Sequence, residues 1–476
     1  MSTALVWLRR DLRLADQPAL DAACREHDRV CPIYIHAPDE RAPWQPGGAS
    51  RWWLHHSLTA LDASLREQGG RLHLAVGDSL TVLRQLVRAS GADAVYWNRE
   101  YEPAAIRRDT RIKQALKSEG IPACSLPGNV WREPWEIQTG QGQPYRVFTP
   151  FWSRLRTQVT VAMPLPSASP SQWMTMENTV PLRALDLLPE IDWTQGMADV
   201  WQPGEIGAMN MLELFADDAL NHYAYGRDLP ARHGTSRMSP HLHFGEITPQ
   251  QIHHHLHQRM VNATTRQHPD LEPYLRELGW REFANHLLFH FPHAPTENLN
   301  PRFDPFPWAD HDAEAMQRWQ HGRTGIPLVD AGMRELWHTG WMHNRVRMVA
   351  ASYLTKNLRQ HWLQGAHWFW DTLVDADLAN NSLGWQWVAG TGADAAPYFR
   401  VFNPYTQARK FDPDGIYLKR WLPELADVPL KLLHEPDRDR AALAARGYPA
   451  PLADPKASRK HALAAWEKVC GRPRNQ

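Results

Sequence analysis

Residues 72–97 have the sequence LHLAVGDSLTVLRQLVRASGADAVYW, and this stretch decides the fold of the first part of the chain. It begins and ends with short apolar runs, Leu72–Val76 and Ala94–Trp97, which are typical of buried strands. Between them, Ser79–Ser90 repeats its apolar residues at the 3.6-residue period of a helix. A strand, a helix and a second strand in this order predict a parallel sheet with a right-handed crossover.

The same alternation extends to both sides of this unit. Further buried strands are predicted at Ala4–Leu8 and Val30–Ile35, and further helices at Ser50–Glu67 and Ala104–Glu119. No G-x-G-x-x-G motif follows any of these strands, so a dinucleotide held in the Rossmann manner is not expected. We therefore predict an α/β N-terminal domain with a parallel, Rossmann-like sheet over residues 1–130.

The sequence pattern changes twice after this domain. From Pro127 to about Gly204 the chain is rich in Pro, Ser and Gln with little periodicity, which is typical of a connector. After Gly204 nearly all of the sequence follows the helical period, and no internal repeat is present. The predicted organisation is therefore an α/β domain over 1–130, an interdomain connector over 131–204 and an all-α domain over 205–476.

The composition limits the class of protein. Lys and Arg total 52 against 52 Asp and Glu, so a site for a polyanion must be a local patch. The four cysteines are scattered without a C-x-x-C pair, which argues against a zinc ribbon, an iron–sulfur cluster and a disulfide scaffold. No apolar run approaches the roughly 18 residues of a membrane helix, and no export signal is recognisable at the N-terminus. We expect a soluble protein of a reducing cytoplasm.

The 23 tryptophans are the unusual feature of the composition. Leu and Ile fill a core as well without carrying an indole N–H, so a core of this size does not require so many indoles. Indoles stack on bases and carry electrons, but large aromatic side chains also fill large helical cores. Composition alone leaves both interpretations open.

The segment GTSRMSP, residues 234–240, has the residues of a phosphate site. Thr235, Ser236 and Ser239 supply hydroxyl groups, small side chains let the backbone approach an anion, and Arg237 can neutralise it. The start of the helix that follows also favours negative charge. The alternative interpretation is an ordinary N-cap turn.

Two predicted helices carry faces that mix polar and aromatic residues. In YLRELGWREF, residues 274–283, helical spacing places Glu277, Trp280 and Arg281 on one face. Burying an acid and a guanidinium without partners costs several kcal/mol, so a simple core would not place them on such a face. The pattern therefore favours a polar cofactor pocket.

The second of these helices is predicted in GWMHNRVRM, residues 340–348. The same spacing groups Asn344, Arg347 and Met348 and leaves Arg345 on a different side. This face combines an amide, a guanidinium and a thioether. Like the first, it predicts contact with a polar group rather than with a simple core.

The run DADLANNSLGWQW, residues 375–387, adds acids, amides and two indoles. Trp385 and Trp387 are two positions apart and face in different directions in a helix and in a strand alike. One of them could face a cofactor network and the other a substrate. Side chains that could reach phosphates and together form a local basic patch are Arg154, Arg227, Arg345, Arg400, Asn403 and Gln407. For each of these taken alone, an ordinary surface residue is the alternative.

A histidine tract could indicate a metal site. His253 and His257 are one helical turn apart, but no nearby carboxylate or thiol completes a ligand set. We therefore interpret the tract as a solvated helix face and expect no metal.

Together these motifs resemble the photolyase and cryptochrome family, and the resemblance covers nearly the whole chain. It rests on VWLRRDLR (6–13), GTSR (234–237), WREF (280–283), GIPLVDAGM (325–333), GWMHNR (340–345) and the run 375–403. In addition, RWWLHHS (51–57) and WQPGEIG (201–207) resemble the bacterial class III cyclobutane pyrimidine dimer photolyases in particular.

The resemblance implies an α/β antenna domain, a connector and a helical domain that binds FAD and DNA. It implies that the FAD is bound by Tyr223, Thr235, Ser236, Arg237, Met238, Ser239, Tyr274, Arg281, Asn344, Arg347, Asp375, Ala376, Asp377 and Asn381. Asn381 would face N5 of the flavin, where plant cryptochromes generally have Asp and animal cryptochromes Cys. The amide at this position favours repair over signalling.

The resemblance also implies light-dependent repair of UV-damaged DNA, in which a flipped-out cyclobutane dimer receives an electron from photoexcited reduced FAD. Trp280 and Trp387 would enclose the dimer, Glu277 and Asn344 would bind base edges, and Met348 would pack beside the ring. The DNA backbone would be bound by Arg227, Arg345, Arg400 and Gln407. The implied catalytic set is Glu277 and Asn381 together with Trp385, Trp362 and Trp308, the three residues that match the family's indole chain for flavin reduction.

The sequence departs from the family pattern at a few positions. Tyr274 stands where many relatives have Trp or Phe, which preserves a ring contact. Ala104 and Ala105 stand where some relatives use Asn and Glu to contact a folate antenna. Class III members hold 5,10-methenyltetrahydrofolate differently, and we expect this antenna pigment; a flavin or deazaflavin remains the alternative.

Two other functions stay open at this point. One is a cryptochrome-like photoreceptor on the same scaffold, and the other is a non-enzymatic nucleic-acid binder with aromatic stacking platforms. Spacing alone does not separate cyclobutane dimers from (6-4) photoproducts, although the lack of clustered cysteines disfavours the iron–sulfur (6-4) group. We expect a bacterial cytoplasmic monomer that joins the nucleoid when bound to UV-damaged DNA and that uses neither membrane nor metal.

Overall fold

A computed structural model describes residues 1–158, 163–262, 271–395 and 400–470. The described residues form two compact units. The first comprises Met1–Asp192, Trp201–Asn221 and Ser236–Pro292, and the second comprises Trp193–Val200, His222–Thr235 and His293–Gln476. These units divide the chain differently from the predicted domain boundaries at 130 and 204, which stay a prediction.

The secondary structure consists of short strands and many helices. The strands are β1 (Thr3–Leu8), β2 (Arg29–His36), β3 (His73–Val76), β4 (Ala94–Asn98), β5 (Ala123–Leu126) and β6 (Gln172–Trp173). The α-helices are α1 (Pro18–Glu26), α2 (Gly48–Glu67), α3 (Ser79–Ser90), α4 (Pro103–Ser118), α5 (Phe148–Gln158), α6 (Gln195–Val200), α7 (Glu205–Asp217), α8 (Tyr223–Gly226), α9 (Ser239–Phe244), α10 (Pro249–Asn262), α11 (Glu272–His290), α12 (Ala313–Gln320), α13 (Pro327–Thr339), α14 (Asn344–Ser352), α15 (Trp362–Thr372), α16 (Leu378–Ala389), α17 (Pro404–Phe411), α18 (Ile416–Trp421), α19 (Leu430–His434), α20 (Arg440–Ala444) and α21 (Pro455–Cys470). Short 3₁₀ turns lie at Pro38–Arg41, Leu182–Leu185, Ala219–His222, Pro301–Phe303, Pro423–Leu425 and Pro436–Arg438, and a π-helical turn, Tyr353–Asn357, continues α14.

The strands of the first unit form one parallel sheet in the order β3-β2-β1-β4-β5, with β6 paired to the start of β2. Strand β1 is central, and all six of its residues are buried, as expected for the middle of a parallel sheet. The chain moves from β1 to β2 and β3 on one side and then to β4 and β5 on the other. The topological switch point therefore lies between β1 and β4.

Helix α3 shows why the quoted stretch folds as predicted. Asp78 caps its start, because a carboxylate oxygen accepts a hydrogen bond from the backbone N–H of Thr81 at 2.9 Å. Gly91 ends it in the left-handed region, with φ +64°. The buried face includes Val82 and Leu86. The predicted helix, Ser79–Ser90, is confirmed residue for residue.

Helix α5 corrects the description of the connector as a segment with little periodicity. Phe148, Phe151, Trp152 and Leu155 repeat at the helical spacing i, i+3, i+4 and i+7, and all four are buried. The helix has only 11 residues, and Pro-rich sequence flanks it. Three further elements, α1, β5 and β6, were not predicted. Strand β6 has only two residues and β5 has no fully buried residue, so neither shows the apolar run of a buried strand.

The all-α character of the chain after Gly204 is confirmed. No strand occurs in residues 205–262, 271–395 and 400–470, which are the described part of this region. Together with the parallel sheet, this confirms the predicted fold class. Among all described residues, no helix is long and apolar enough to cross a membrane.

The motif Gly325–Met333 has a structural role in the second unit. Asp330 is fully buried within it, and one of its carboxylate oxygens accepts hydrogen bonds from the backbone N–H and the hydroxyl of Thr324 at 2.6 and 2.7 Å. The other accepts from the hydroxyl of Tyr448 at 2.6 Å. The carboxylate thus joins the start of α13 to the chain after α20, because a buried acid requires such partners.

Candidate functional site

Helix α11 of the first unit carries four of the predicted site residues. Tyr274 is buried and packs on Phe215, with the ring centroids 4.6 Å apart. Burial raises the pKa of Tyr274 to about 12, so its hydroxyl stays protonated. Glu277, Trp280 and Arg281 are half-buried at the predicted positions i, i+3 and i+4. They therefore form one partly accessible face.

The indole of Trp280 has a partner that the sequence did not predict. It stacks on the ring of Phe148 from α5, with centroids 3.7 Å apart and planes 9° from parallel. The neighbouring Arg281 donates from Nη1 to the backbone oxygen of Asn129 at 2.6 Å. Both side chains of α11 are thus held by parts of the chain outside the helix.

Glu282, beside Arg281, is a buried acid that sequence reasoning missed. Its Oε2 accepts a hydrogen bond from the backbone N–H of Trp131 at 2.8 Å, and its Oε1 lies 3.4 Å from Nη1 of Arg281. Burial raises the pKa of Glu282 to about 7, although the charge of Arg281 opposes the rise. In the sequence, only its position next to Arg281, a predicted site residue, indicates that Glu282 could matter.

The predicted phosphate segment is a tight turn before a helix. Arg237 has φ +52°, a left-handed conformation that is uncommon outside glycine. Its guanidinium carbon lies 5.8 Å from the ring centroid of Trp201. Ser239 begins α9, as predicted, while Met238 is buried. The helix has only six residues, so its dipole adds less than the backbone N–H groups and Arg237 do.

Thr235 and Gly234, which precede this turn, belong to the second unit. A Cβ atom on Gly234 would lie 2.2 Å from the carbonyl oxygen of Gly226, so no other residue fits there. The close approach brings the segment of Thr235 beside α8, which carries the buried Tyr223. Arg227, at the end of α8, places its guanidinium carbon 5.3 Å from the ring centroid of Tyr223.

Helix α14 of the second unit begins at the exposed Asn344. His343 caps the helix, because its Nδ1 accepts a hydrogen bond from the backbone N–H of Arg345 at 3.2 Å. The helical spacing predicted that Arg345 and Met348 lie on different sides of the helix, but the two side chains are in contact. Nη1 of Arg345 lies 3.9 Å from the sulfur of Met348, and its Nη2 pairs with Asp228 at 2.5 Å. The expectation was wrong because residues three positions apart also share a helix face.

Arg347 and Asp375, both predicted to line a flavin, form an ion pair with Nη2 and Oδ2 2.8 Å apart. The Nε of Arg347 also donates to the backbone oxygen of Met342 at 2.7 Å. The guanidinium carbon lies 5.8 Å from the ring centroid of Trp341, which gives this indole a partner. The guanidinium of Arg347 therefore balances the negative charge of the buried Asp375.

Helix α16 begins directly after Asp377, whose carboxylate accepts from the backbone N–H of Asn380 at 2.9 Å and so caps it. Ala376, just before, is buried. One turn into the helix, Nδ2 of Asn381 donates to the backbone oxygen of Ala366 at 3.1 Å. This bond sets the orientation of the amide.

Trp385 and Trp387 lie in different environments, as predicted. Trp385 is 2% exposed, whereas Trp387 is half-buried. The indole of Trp385 meets Phe369 edge to face, with centroids 4.9 Å apart. A Cβ atom on Gly365 of α15 would lie 2.0 Å from Trp385, so the indole rests directly on the backbone of that helix.

Trp362 and Trp308 both contact a histidine that sequence reasoning missed. Trp362 is buried, donates from Nε1 to Oδ1 of Asn298 at 3.0 Å, and lies 5.8 Å from the ring of His361. The half-buried Trp308 lies 5.1 Å from the same ring. Burial lowers the pKa of His361, so the ring between these contacts stays neutral at pH 7.

The remaining predicted DNA contacts lie near the start of α17. Arg400 is exposed, and its backbone oxygen accepts a hydrogen bond from Nζ of the buried Lys356 at 3.1 Å. Gln407 is half-buried within α17. Asn403 caps this helix by accepting from the backbone N–H groups of Tyr405 and Thr406. Its side-chain oxygen is therefore engaged in a structural role.

The histidine tract of the first unit shows no sign of a ligand set. The rings of His253 and His257 are 4.1 Å apart, and burial, together with the neighbouring histidines, lowers the pKa of His253 to about 4. Within the described ranges, no group of three or more His, Cys, Asp or Glu residues could hold a metal ion. The expectation that no metal is used stays a prediction.

The side chains that the resemblance assigns to FAD are of types that fit a polar aromatic cofactor. The donor set combines amides, hydroxyl groups and guanidinium groups, which match carbonyl and phosphate oxygens. In the part of the chain that the structure describes, the buried indole N–H of Trp385 has no hydrogen-bond partner. A buried donor without an acceptor is costly, and a polar group of a bound cofactor is one acceptor that would satisfy it.

Comparisons with known proteins agree with this chemistry. A family model described as DNA photolyase matches residues 4–170, and one described as FAD binding domain of DNA photolyase matches residues 274–468. The chain is 44% identical to a deoxyribodipyrimidine photo-lyase of Agrobacterium fabrum, over 98% of both chains. It is 36% identical to cryptochrome-1 of Arabidopsis thaliana, over 94% of this chain and 68% of that one. The structure of a class III photolyase from Agrobacterium tumefaciens superposes with a TM-score of 0.93 at 44% identity, covering 99% of this chain and 98% of the other.

Proposed function

The chain belongs to the DNA photolyase family, and we propose that it repairs UV-damaged DNA in light by splitting cyclobutane pyrimidine dimers. The observation that carries the proposal is the half-buried face of α11, on which Glu277 and Trp280 present a hydrogen-bonding acid and a flat ring side by side. A pyrimidine dimer offers polar base edges and a ring surface, and this pair matches both.

We propose that the FAD is bound by Tyr223, Thr235, Ser236, Arg237, Met238, Ser239, Tyr274, Arg281, Asn344, Arg347, Asp375, Ala376, Asp377 and Asn381. When bound, reduced FAD absorbs light and supplies the electron that splits the dimer. The ion pair between Arg347 and Asp375 supports the proposal, because it keeps two charged groups ordered without leaving a net charge at the flavin.

The chain itself positions the substrate. We propose that Trp280 and Trp387 stack on the dimer, that Glu277 and Asn344 bind its base edges, and that Met348 packs beside it. Flipping the dimer out of the duplex costs a few kcal/mol, least for a damaged pair, and stacking on indoles recovers about 1–3 kcal/mol per base. Contacts to the DNA backbone are proposed for Arg227, Arg345, Arg400 and Gln407.

An electron path from the surface is proposed along Trp308, Trp362 and Trp385. The exposure of the three indoles falls from the half-buried Trp308 to the buried Trp362 and Trp385, which is the gradient that such a path needs. His361, in contact with both Trp308 and Trp362, keeps the two outer indoles in fixed positions.

The antenna chromophore is proposed to be 5,10-methenyltetrahydrofolate. Ligands of open parallel sheets often bind beyond the strand ends at the switch point. Here Arg9 follows β1 and Glu100 follows β4, and Glu100 is paired with Arg41 and Arg108 at 2.9 and 2.8 Å. Charged side chains thus lie after β1 and β4, and the choice of the folate itself rests on the family resemblance.

The direct test uses the purified protein with its flavin reduced and DNA that contains cyclobutane dimers. We expect dimers to disappear under blue light and to persist in darkness. Trp280→Ala should lose repair, whereas Trp135→Ala removes an exposed indole with no proposed DNA contact and should keep it. Persistence of dimers under light with the unmodified protein overturns the proposal.

A cryptochrome-like photoreceptor is the second candidate, favoured by the 36% identity to the Arabidopsis cryptochrome. It predicts flavin photoreduction without loss of dimers, so the same experiment separates the two functions. The amide of Asn381, where the family's photoreceptors have other groups, supports repair.

We propose that damaged DNA is the partner and that the protein acts as a monomer in the bacterial cytoplasm, without a metal and on the nucleoid when bound. Sedimentation of the FAD-loaded protein with and without DNA tests the oligomeric state, and a 2:2 complex would contradict it. If no metal is used, repair activity should be retained in the presence of a metal chelator.

A further inference from the structure

One face of the indole of Trp280 is covered by the chain itself. The ring of Phe148 lies 3.7 Å away, nearly parallel to it, and Phe148 is only 1% exposed while Trp280 is half-buried. A flat ring has two faces, and Phe148 occupies one of them at van der Waals distance. Any base that stacks on Trp280 must therefore use the opposite face.

Phe148, the first residue of α5, is held in the contact between this helix and α11. Gly279 lets the two helices approach, because a Cβ atom there would lie 2.4 Å from the ring of Trp152. Trp152 lies nearly parallel to Phe148, at 6.4 Å and 10°, and its Nε1 donates to Glu272 at 2.9 Å. The guanidinium carbon of Arg276 lies 4.9 Å from the ring centroid of Phe148. The ring behind Trp280 is therefore part of an ordered aromatic layer.

The next turn of α5 makes similar aromatic contacts with α11, and Phe283 packs on both phenylalanines. Phe151 is as buried as Phe148 and packs on Phe283 and His286 of α11, with centroids 5.1 Å away in both cases. The two phenylalanines thus contribute alike to the packing of α5 on α11. They differ in that the stacked partner of Phe148 is Trp280.

We infer that Phe148 is a positioning residue for damage recognition, which holds the indole of Trp280 in the plane needed to stack on a flipped-out pyrimidine dimer. The inference rests on the proposed role of Trp280. An indole that is half-buried and unsupported samples several rotamers, and ordering it on binding lowers affinity. With Phe148 behind it, the ring is ordered before the dimer arrives, and this benefits the flipped lesion but not intact DNA, which makes no use of the ring.

The test replaces Phe148 by Leu, which keeps most of the volume but removes the flat face. Affinity is measured in darkness for matched oligonucleotides with and without one cyclobutane dimer. We expect Phe148→Leu to weaken binding of the dimer by about three- to ten-fold and to leave binding of undamaged DNA unchanged, the size expected for ordering one large side chain on binding. FAD content and repair per photon at saturating DNA should stay close to those of the wild-type protein.

Phe151→Leu is the matched control, because it removes an equally buried ring of the same helix. It should lower the melting temperature as much as Phe148→Leu without changing the ratio of the two affinities. If Phe148→Leu does not fold, Phe148→Met provides a second, more flexible replacement with the same expected ratio.

Two outcomes overturn the inference and are distinguishable. If Phe148→Leu and Phe151→Leu change the affinity ratio equally while Trp280→Ala abolishes the preference for the dimer, Phe148 has only a packing role and the proposed function stands. If Trp280→Ala itself keeps the preference for the dimer, the role of Trp280 fails, and the positioning role of Phe148 fails with it.

Discussion

Asn381 holds its amide in one orientation, because Nδ2 donates to the backbone oxygen of Ala366. The side-chain oxygen is therefore the atom directed away from α15. An Asp at this position would set a carboxylate oxygen against that carbonyl, which removes a hydrogen bond and adds repulsion. The identity of the residue thus affects both the local packing and any group that the side chain faces.

We predict that Asn381→Asp makes reduced flavin less stable. The lost hydrogen bond and the new repulsion should cost about 1–3 kcal/mol, and the group proposed to face flavin N5 changes its charge. The measurement is the rate of dark reoxidation after photoreduction, which should rise. Equal reoxidation rates in Asn381→Asp and wild type would refute the role.

Glu282 is predicted to make stability depend on pH. Burial raises its pKa to about 7, whereas an unfolded chain releases this proton near pH 4.3, so the folded state binds more protons between roughly these values. Stability from this group is present below the unfolded pKa and is lost as the pH rises towards 7. Deprotonation of Glu282 thus destabilises the folded protein.

Glu282→Gln has no such proton to lose. Relative to wild type, its free energy of unfolding should increase as the pH rises from about 4.5 to about 7, by at most about 3 kcal/mol, since one pKa unit corresponds to about 1.4 kcal/mol. Urea unfolding of both proteins across this range measures the difference. A constant difference between Glu282→Gln and wild type would contradict the raised pKa.

At the scale of elements, the contact between α15 and α16 decides where Trp385 lies. The indole rests on Gly365, at a place where any larger residue would overlap it. Helices normally keep their axes 8–10 Å apart through side chains at the contact, and a glycine lets an indole lie against the backbone instead. The position of Trp385, the innermost indole of the proposed electron path, is therefore set by a residue with no side chain.

Gly365→Ala should displace Trp385 and slow photoreduction of oxidised flavin. Overpacking of this kind typically costs about 1–3 kcal/mol, so the melting temperature should fall as well. Gly384→Ala is the matched control: it lies next to Trp385 in α16, and its added methyl group meets nothing within 4 Å. Unchanged photoreduction in Gly365→Ala would show that the contact does not set the path.

Trp308→Phe tests the outer end of the same path. It keeps an aromatic ring next to His361 but removes the indole that carries the electron. We expect slower photoreduction of oxidised flavin and unchanged repair by protein that is already reduced. Loss of both activities would mean that Trp308 has a structural role.

At the scale of the whole molecule, zero formal net charge means that DNA affinity depends on a few local cations. Arg345 is one of the proposed contacts, and Asp228 pairs with it at 2.5 Å and offsets part of its charge. The strength of DNA binding should therefore depend on this acid as well as on the arginines themselves.

Asp228→Asn should strengthen binding to damaged and undamaged DNA alike, by about two- to five-fold at low salt, because phosphate contacts carry no sequence information. The gain should shrink as salt is added, since each phosphate contact releases counterions. Asp427→Asn changes the net charge equally, at a pair with Arg446, and should leave affinity unchanged. An equal gain in both variants would mean that overall charge, not Arg345, is responsible.

Much of the fold could be predicted from local sequence. Helix α3 was predicted residue for residue, since its cap, its apolar period and its terminal glycine all lie within a few positions of each other. The different environments of Trp385 and Trp387 followed from helical geometry in the same way. Helix α5 also has the required period, and only its short length among prolines hid it.

What the sequence by itself determined is the order of strands and helices, the faces they present and the family to which the chain belongs. The tertiary structure alone decided that Phe148 lies behind Trp280, that Arg345 pairs with Asp228, and that Ser236–Pro292 belongs to the same compact unit as the α/β sheet. The physical reason is that the periodicity of a helix or strand depends on residues close together in the sequence. What packs against its buried face depends on contacts between residues far apart in the chain.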